Sequence, residues 1–340
     1  MDGGVHGVVH STSTYRGDNR RMRTWFTDEF RLDVPVACAP MAGVAGGRLA
    51  AAVSAAGGLG MIGVPTTASV SWLHEQMQLA KMPGRSWGVG LTGWAVDDDA
   101  ALLEAVLAAR PDLVSVSFGD VTEYVAPLHD AGIVVATQAG SIDDALAADA
   151  VGVDVIVARG AEGGGHGRNE VATLPLLQEI LELVDAPVLA AGGISGRRGV
   201  AAVIAAGAEG AWVGTAFTVC PEGDFPAESR HAVLEARTTD TIWSRIFDIG
   251  LGLGWPPEFG GRSLVNEVTK RWAGREEDLL AGGPAVIALG DQLRSAKEAG
   301  DASFSAVYAG QAAGMIETSR PAAEVLADLG AVDDLLARLR

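Results

Sequence analysis

Between residues 36 and 217 the chain alternates short apolar runs with helix-like stretches, and few architectures accept that rhythm. The runs at 36–40, 61–64, 87–91, 113–118, 134–138, 155–158, 188–191 and 211–217 are almost continuously apolar. That pattern belongs to parallel strands covered on both faces, because a strand with one wet face alternates instead. Stretches at 48–56, 70–81, 97–109, 123–131, 142–151, 174–184 and 197–206 carry helical patterning between them. Gly57, Gly132, Gly152 and Gly207 follow four of these stretches, where a left-handed residue closes the last turn. Asp112, Asp154 and Asp185 sit in turns that feed strands. Eight such units predict a (β/α)8 TIM barrel, with a doubly wound open sheet as the structural alternative.

After residue 217 the rhythm stops. Residues 226–237, 278–297, 303–317 and 322–339 read as helices without strands, around a Gly/Pro-rich segment at 250–261. The expected layout is a poorly ordered leader over 1–30 and a barrel over 31–224. A helical appendage over 225–317 follows, packed on the barrel mouth, and then a C-terminal helix over 318–340. The leader has no apolar core of the kind a secretory signal needs. Residues 49–73 carry no charge, but Gly57, Gly58, Gly60, Gly63 and Pro65 punctuate them as helix, turn and strand. The chain is therefore expected to be soluble and cytoplasmic, with no membrane partner.

Charge and cysteine content narrow the partners further. With 25 Lys plus Arg against 43 Asp plus Glu, the formal net charge of −18 leaves little positive charge to displace phosphate counterions, which argues against nucleic acid. Two cysteines, Cys38 and Cys220, make no disulfide framework and suit a reducing compartment. Cys38 lies inside a strand and reads as a core residue.

The 45 glycines carry more information, because many fall at strand ends. In a (β/α)8 barrel the C-terminal ends of the strands carry the chemistry. After the seventh run comes Ala191-Gly192-Gly193-Ile194-Ser195-Gly196, opening a helix, and after the eighth comes Val213-Gly214-Thr215-Ala216-Phe217. Two adjacent loops and a helix N-terminus form the phosphate site that barrels of this kind reuse. The sixth run ends in Arg159-Gly160-Ala161-Glu162-Gly163-Gly164-Gly165-His166, a polyglycine turn with one large side chain reaching in. A histidine there can take or give a proton at neutral pH. No second His, Cys or carboxylate stands at metal-ligand spacing from it, so no metal is expected. Further glycines, Gly58, Gly60, Gly88 and Gly90, mark close approaches at neighbouring strands. A flat apolar ligand with a phosphate tail would use all of these features, and FMN has that shape.

These residues also carry a family resemblance. Ala39-Pro40-Met41-Ala42-Gly43, Ala55-Ala56-Gly57-Gly58-Leu59-Gly60, Glu162-Gly163-Gly164-Gly165-His166-Gly167, Ala191-Gly192-Gly193-Ile194, Gly214-Thr215-Ala216-Phe217 and Tyr308-Ala309-Gly310-Gln311 resemble, in order, the nitronate monooxygenase family. The resemblance implies an FMN-dependent TIM barrel that oxidises alkyl nitronates or nitroalkanes with O2 to a carbonyl compound and nitrite. It makes His166 the catalytic residue, as base or as hydrogen-bond partner of the nitro group. It places FMN against Ala39, Pro40, Met41, Gly90, Gln138, Arg159, Gly164, Gly165, Gly192, Gly193, Val213, Gly214, Thr215, Tyr308 and Gln311. Three positions depart from the family pattern: Arg159 stands where Gln is usual, Gly90 where Asn is usual, and Gly163 where Ala is common. Arg159 would bring a fixed positive charge near the flavin. The alternatives are an NADH-using FMN reductase of the enoyl-acyl-carrier-protein reductase type, and a barrel that binds a phosphorylated metabolite without flavin. Whether the chain forms a homodimer is left open by the sequence.

Overall fold

The computed structural model describes residues 22–96 and 100–339. Among these residues eight strands form one parallel sheet: β1 (Val36–Cys38), β2 (Gly60–Gly63), β3 (Trp87–Thr92), β4 (Leu113–Ser117), β5 (Val134–Ala139), β6 (Val155–Arg159), and, after a two-residue strand β7 (Gly165–His166) that lies elsewhere, β8 (Val188–Ala191) and β9 (Gly210–Val213). The order β1-β9-β8-β6-β5-β4-β3-β2 follows the chain around a barrel. β1 and β2 close it through one bridge: Cys38 N donates to the Leu59 carbonyl at 2.9 Å and Leu59 N to the Val36 carbonyl at 3.0 Å. The (β/α)8 architecture read from the apolar runs is the architecture found.

The strands are buried on both faces because two cores need them. Ala37, Met61, Leu113, Ala136, Val157, Leu189 and Trp212 fill the barrel interior, while neighbours such as Val36, Ile62, Val114, Ile156 and Val188 pack outward against the helices. The interior is sealed from below by a helix, Trp25–Glu29, whose Phe26 is fully buried among the inward-facing strand residues. Its Trp25 N donates to the Glu209 carboxylate at 2.6 Å, tying the plug to the turn before β9. Residues 25–30 are thus part of the barrel and not of a disordered leader; the expectation for 1–21 lies outside the described residues. So do residues 97–99 of the expected 97–109 helix, which is described from Ala100 to Ala109.

The eighth barrel helix is far from its strand in sequence. Ala322–Gly330 packs between the helices Gly47–Ala55 and Arg197–Ala205, burying Ala322, Val325, Leu326 and Leu329. Everything from Val219 to Pro321 is therefore an insertion between β9 and its helix, and the segment read as a C-terminal helix completes the ring. Several expectations for this region need correction. The last apolar run ends as a strand at Val213, because Gly214 caps the short helix Thr215–Thr218. The insertion is not strandless. β10 (Thr241–Ser244) and β11 (Gly261–Leu264) pair antiparallel, and β11 pairs in turn with β7, in the order β10-β11-β7. The expected 278–297 helix divides at Gly282-Gly283-Pro284 into Glu276–Leu280 and Pro284–Ala299. Residues 303–317 form no α-helix: they run as a turn, then a β-bridge at Tyr308, then a 3-10 turn at Gln311–Met315. Tertiary pairing overrides helical composition there: Leu264 N donates to the Val307 carbonyl at 2.8 Å, and Ser263 bridges to Tyr308.

Among the described residues no helix is long and apolar enough to cross a membrane. Cys38 is fully buried, as its place in a strand implies.

Candidate active site

The loop after β6 runs from Gly160 to Arg168 and returns as β7, where His166 lies opposite Gly261 of β11. The insertion therefore holds His166 in a backbone ladder, and it also supplies the partner of the imidazole. His166 Nε2 lies 2.8 Å from Asp248 Oδ1, with the two side chains only 11% and 5% exposed. A carboxylate accepts and cannot donate, so Nε2 carries the proton and Nδ1 is the nitrogen left to act as a base. Asp248 sits on the short helix Ile246–Leu251. That helix is clamped against Pro284–Ala299 where Gly250 meets Gly290: a Cβ on Gly290 would lie 2.6 Å from the Gly250 carbonyl oxygen.

Aromatic rings wall off the pair. Trp255 stacks on the imidazole with centroids 3.6 Å apart and planes 4° apart, and the Tyr308 ring lies 5.2 Å away. Trp255 also meets Trp94 at 5.4 Å and Phe118 at 5.2 Å, and Phe118 meets Phe259 at 5.5 Å. Phe118 directly follows β4 at φ +68°, a conformation that costs a bulky residue roughly 1–2 kcal/mol and brings its ring into this cluster. Burial, with the Asp248 charge adding to it, pushes the Tyr308 phenol well above its usual range, so Tyr308 stays a hydrogen-bond donor at neutral pH. The Trp94 indole N–H is buried without a partner.

A second group of residues lies at the C-terminal ends of β1, β8 and β9, which are neighbours in the sheet. Gly192 adopts φ +106°, and a Cβ there would lie 2.6 Å from Thr173 Oγ1, so only glycine fits. Gly193 follows at φ +70°, and the next residues lead into the helix Arg197–Ala205. Gly214 faces Met41 and Ala39: a Cβ added to it would lie 3.5 Å from Met41 Sδ and 3.7 Å from Ala39 Cβ. Val213 lies opposite Cys38 in the β1–β9 register. Thr215 Oγ1 accepts from Gly310 N at 3.0 Å, while Gln311 N donates to the Glu162 carbonyl at 3.0 Å. A cavity of about 230 Å³ opens beside these loops, with Ser195, Ala216, Arg320 and Asp328 among its lining. Ser195 Oγ is buried and has no partner.

The structure thus gathers Ala39, Met41, Gly192, Gly193, Val213, Gly214 and Thr215 at one end, and Gly164, Gly165, His166 and Tyr308 at the other. Gly164 abuts Gly310, joining the two. Gly90 accepts no side chain because the Pro40 ring occupies the position a Cβ would take. Gln138 lies near the end of β5, opposite Val157 of β6, its N donating to Ser117 Oγ at 3.1 Å. Arg159 does not present a free charge: its guanidinium is buried and bonded to carbonyls of the loop itself. Asp248, Trp255, Phe118, Phe259 and Trp94 were not anticipated, and Ser195 was anticipated only as part of the glycine loop after the seventh run. Asp248 lies in an ordinary apolar run, and only the pairing of β7 with β11 brings it to His166.

A (β/α)8 barrel with a buried histidine–aspartate pair above its sixth strand and glycine turns above its seventh and eighth has the build of a barrel enzyme whose site lies at the strand C-termini. The nitronate monooxygenase family model matches residues 85–331, and the chain belongs to that family, as an oxidoreductase. A nitronate monooxygenase of Paraburkholderia phytofirmans is 31% identical over 88% of this chain and 92% of its own. Among solved structures, FabK from Thermotoga maritima superposes with a TM-score of 0.79 at 28% identity, over 94% of this chain and 99% of that one. Nitroalkane oxidase from Streptomyces ansochromogenes does so with a TM-score of 0.78 at 30% identity, over 92% and 99%.

Proposed function

We propose that the protein is an FMN-dependent oxidase of alkyl nitronates and their parent nitroalkanes, which uses O2 and yields a carbonyl compound and nitrite. The buried His166–Asp248 pair is the observation that carries this reading. The residues present suit FMN. Ser195 Oγ is a buried polar atom without a partner, at the loop where barrels hold phosphate, and Gly193 and Gly214 flank that loop with no side chain of their own. Ser195, Gly193 and Thr215 would hold the phosphate, with Ala39, Met41 and Gly164 along the rest of the group. When bound, FMN supplies the two-electron acceptor that O2 reoxidises.

The chain's own residues handle the proton and the nitro group. Asp248 fixes the Nε2–H tautomer, and Nδ1 of His166 accepts the α-proton of a neutral nitroalkane. A preformed nitronate has already lost that proton and needs His166 only as a neighbour. Tyr308 and the Trp94 indole N–H remain as donors for nitro oxygens. The rings of Trp255, Phe118 and Phe259 exclude water.

The test is nitrite release by the FMN-reconstituted protein. H166A should lower kcat/KM on a neutral nitroalkane by about 10²–10⁴-fold, and D248N should move the same way, with smaller losses on the preformed nitronate. Equal losses on both substrates would remove the base from this account, and a protein that takes up no FMN would remove the whole reading.

The likeness to FabK favours one second reading, an FMN reductase that takes hydride from NADH. Rapid anaerobic bleaching of the flavin by NADH would support it, whereas bleaching by a nitronate without NADH would support the first.

A further inference from the structure

Arg159 ends β6, and its side chain turns into the hollow of the loop that follows. Its Nη2 donates to the carbonyls of Gly163, Gly164 and Gly165 at 2.7, 3.2 and 3.1 Å, and its Nη1 to the carbonyl of Arg168 at 3.1 Å. Four carbonyls of one short loop therefore converge on a single guanidinium, whose planar fork of donors can serve them together. The group is 4% exposed, and among the described residues no carboxylate is paired with it. Burial, reinforced by the neighbouring Arg262 and offset in part by Glu162, lowers its pKa to about 10, so it remains charged at neutral pH. Without a cation inside, those carbonyl dipoles would face one another unpaired.

The same guanidinium accounts for two glycines. A Cβ on Gly163 would lie 3.0 Å from Arg159 Nε and 3.1 Å from Cζ, and a Cβ on Gly167 would overlap the guanidinium. Gly163 and Gly167 flank the stretch that becomes β7, so what sets the loop sets His166. Trp243 braces the outer side, its Nε1 donating to the Gly167 carbonyl at 2.8 Å.

We propose that Arg159 is the positioning residue for His166: the glycine loop is wound on its guanidinium, and Gly163 and Gly167 are glycine to make room for it and not for a ligand. The proposal holds whichever reaction the site performs. Its readout is the place of the imidazole itself.

Because His166 stacks on Trp255 at 3.6 Å, its ring C–H signals are displaced upfield by the indole in a spectrum of histidine-labelled protein. H166N assigns them by their disappearance, and the five other histidines serve as internal references. R159Q should return the His166 signals toward the positions of exposed histidines and leave the references unmoved. G163A should do the same with Arg159 in place, yet add nothing in the R159Q background, where its Cβ has room. If R159Q does not fold, R159K decides, because it keeps the stem and the charge but not the fork: displaced His166 signals support the proposal. Signals unmoved in a folded Arg159 variant, even one with a lowered Tm, would overturn it. So would a G163A displacement of equal size in both backgrounds. Nitrite release, measured in parallel, reports on the proposed reaction separately.

Discussion

Cys38 and Cys220 show how a barrel wall treats a titratable group. Both are fully buried, and burial drives each thiol upward, Cys220 to about 12 with Glu222 adding and Arg320 opposing. A thiol whose folded pKa exceeds its unfolded value favours the folded state in its neutral form. That contribution is fully present below about pH 9 and is lost as pH rises toward 12. Native protein at pH 8 should therefore resist a chromogenic disulfide reagent, while denatured protein gives two equivalents. Stability measured by denaturant should fall between pH 9 and 12, less steeply in C220A. Rapid labelling of the native protein would contradict this. The core role of Cys38 was legible in sequence, since a cysteine inside an apolar run has one ordinary fate. Arg159 was not: a cation at a strand end reads as a charge offered to a ligand, and only the direction of its donors shows that the loop consumes it.

At the scale of elements, the helix Trp25–Glu29 does the work of a barrel floor. Phe26 is fully buried beneath the inward layer of strand residues and packs edge-on against Phe30, with centroids 5.2 Å apart. F26A should cost about 3–5 kcal/mol of unfolding free energy, read from a denaturant midpoint, with little change in KM because the site lies at the opposite end. A loss below 1 kcal/mol would mean that the floor is dispensable. The strands of the barrel were legible because each is buried on both faces and leaves a continuous apolar run. β10 and β11 were not, because each mixes polar with apolar residues and leaves no continuous apolar run, and the partner of β11 is the remote Gly165–His166 pair. The 303–317 stretch misled for a related reason: its composition suits a helix, but Leu264 takes the backbone of Val307 into a ladder.

Over the whole molecule the net charge of −18 opposes an anionic substrate before contact. Arg168, held by Asp144 at 2.8 Å, is placed 5.2 Å over the Phe259 ring, so its charge is already partnered. Salt screens long-range repulsion over a Debye length of about 10 Å at 0.1 M. For a preformed nitronate, kcat/KM should thus rise with ionic strength, while that for a neutral nitroalkane stays flat. A fall with salt for the nitronate would show that a local basic field at the mouth outweighs the global charge.

The ladder between β7 and β11 has a consequence for how such an enzyme diversifies. His166 belongs by sequence to the barrel and by hydrogen bonding to the insertion, which also brings Asp248 and Trp255. A transplanted insertion would therefore have to arrive with an edge strand in register with Gly165–His166 and a carboxylate at the right height. Otherwise the barrel would keep its strands and lose the placement of His166. Side chains such as Trp255 and Phe259, which lie outside that ladder, can be exchanged without disturbing it.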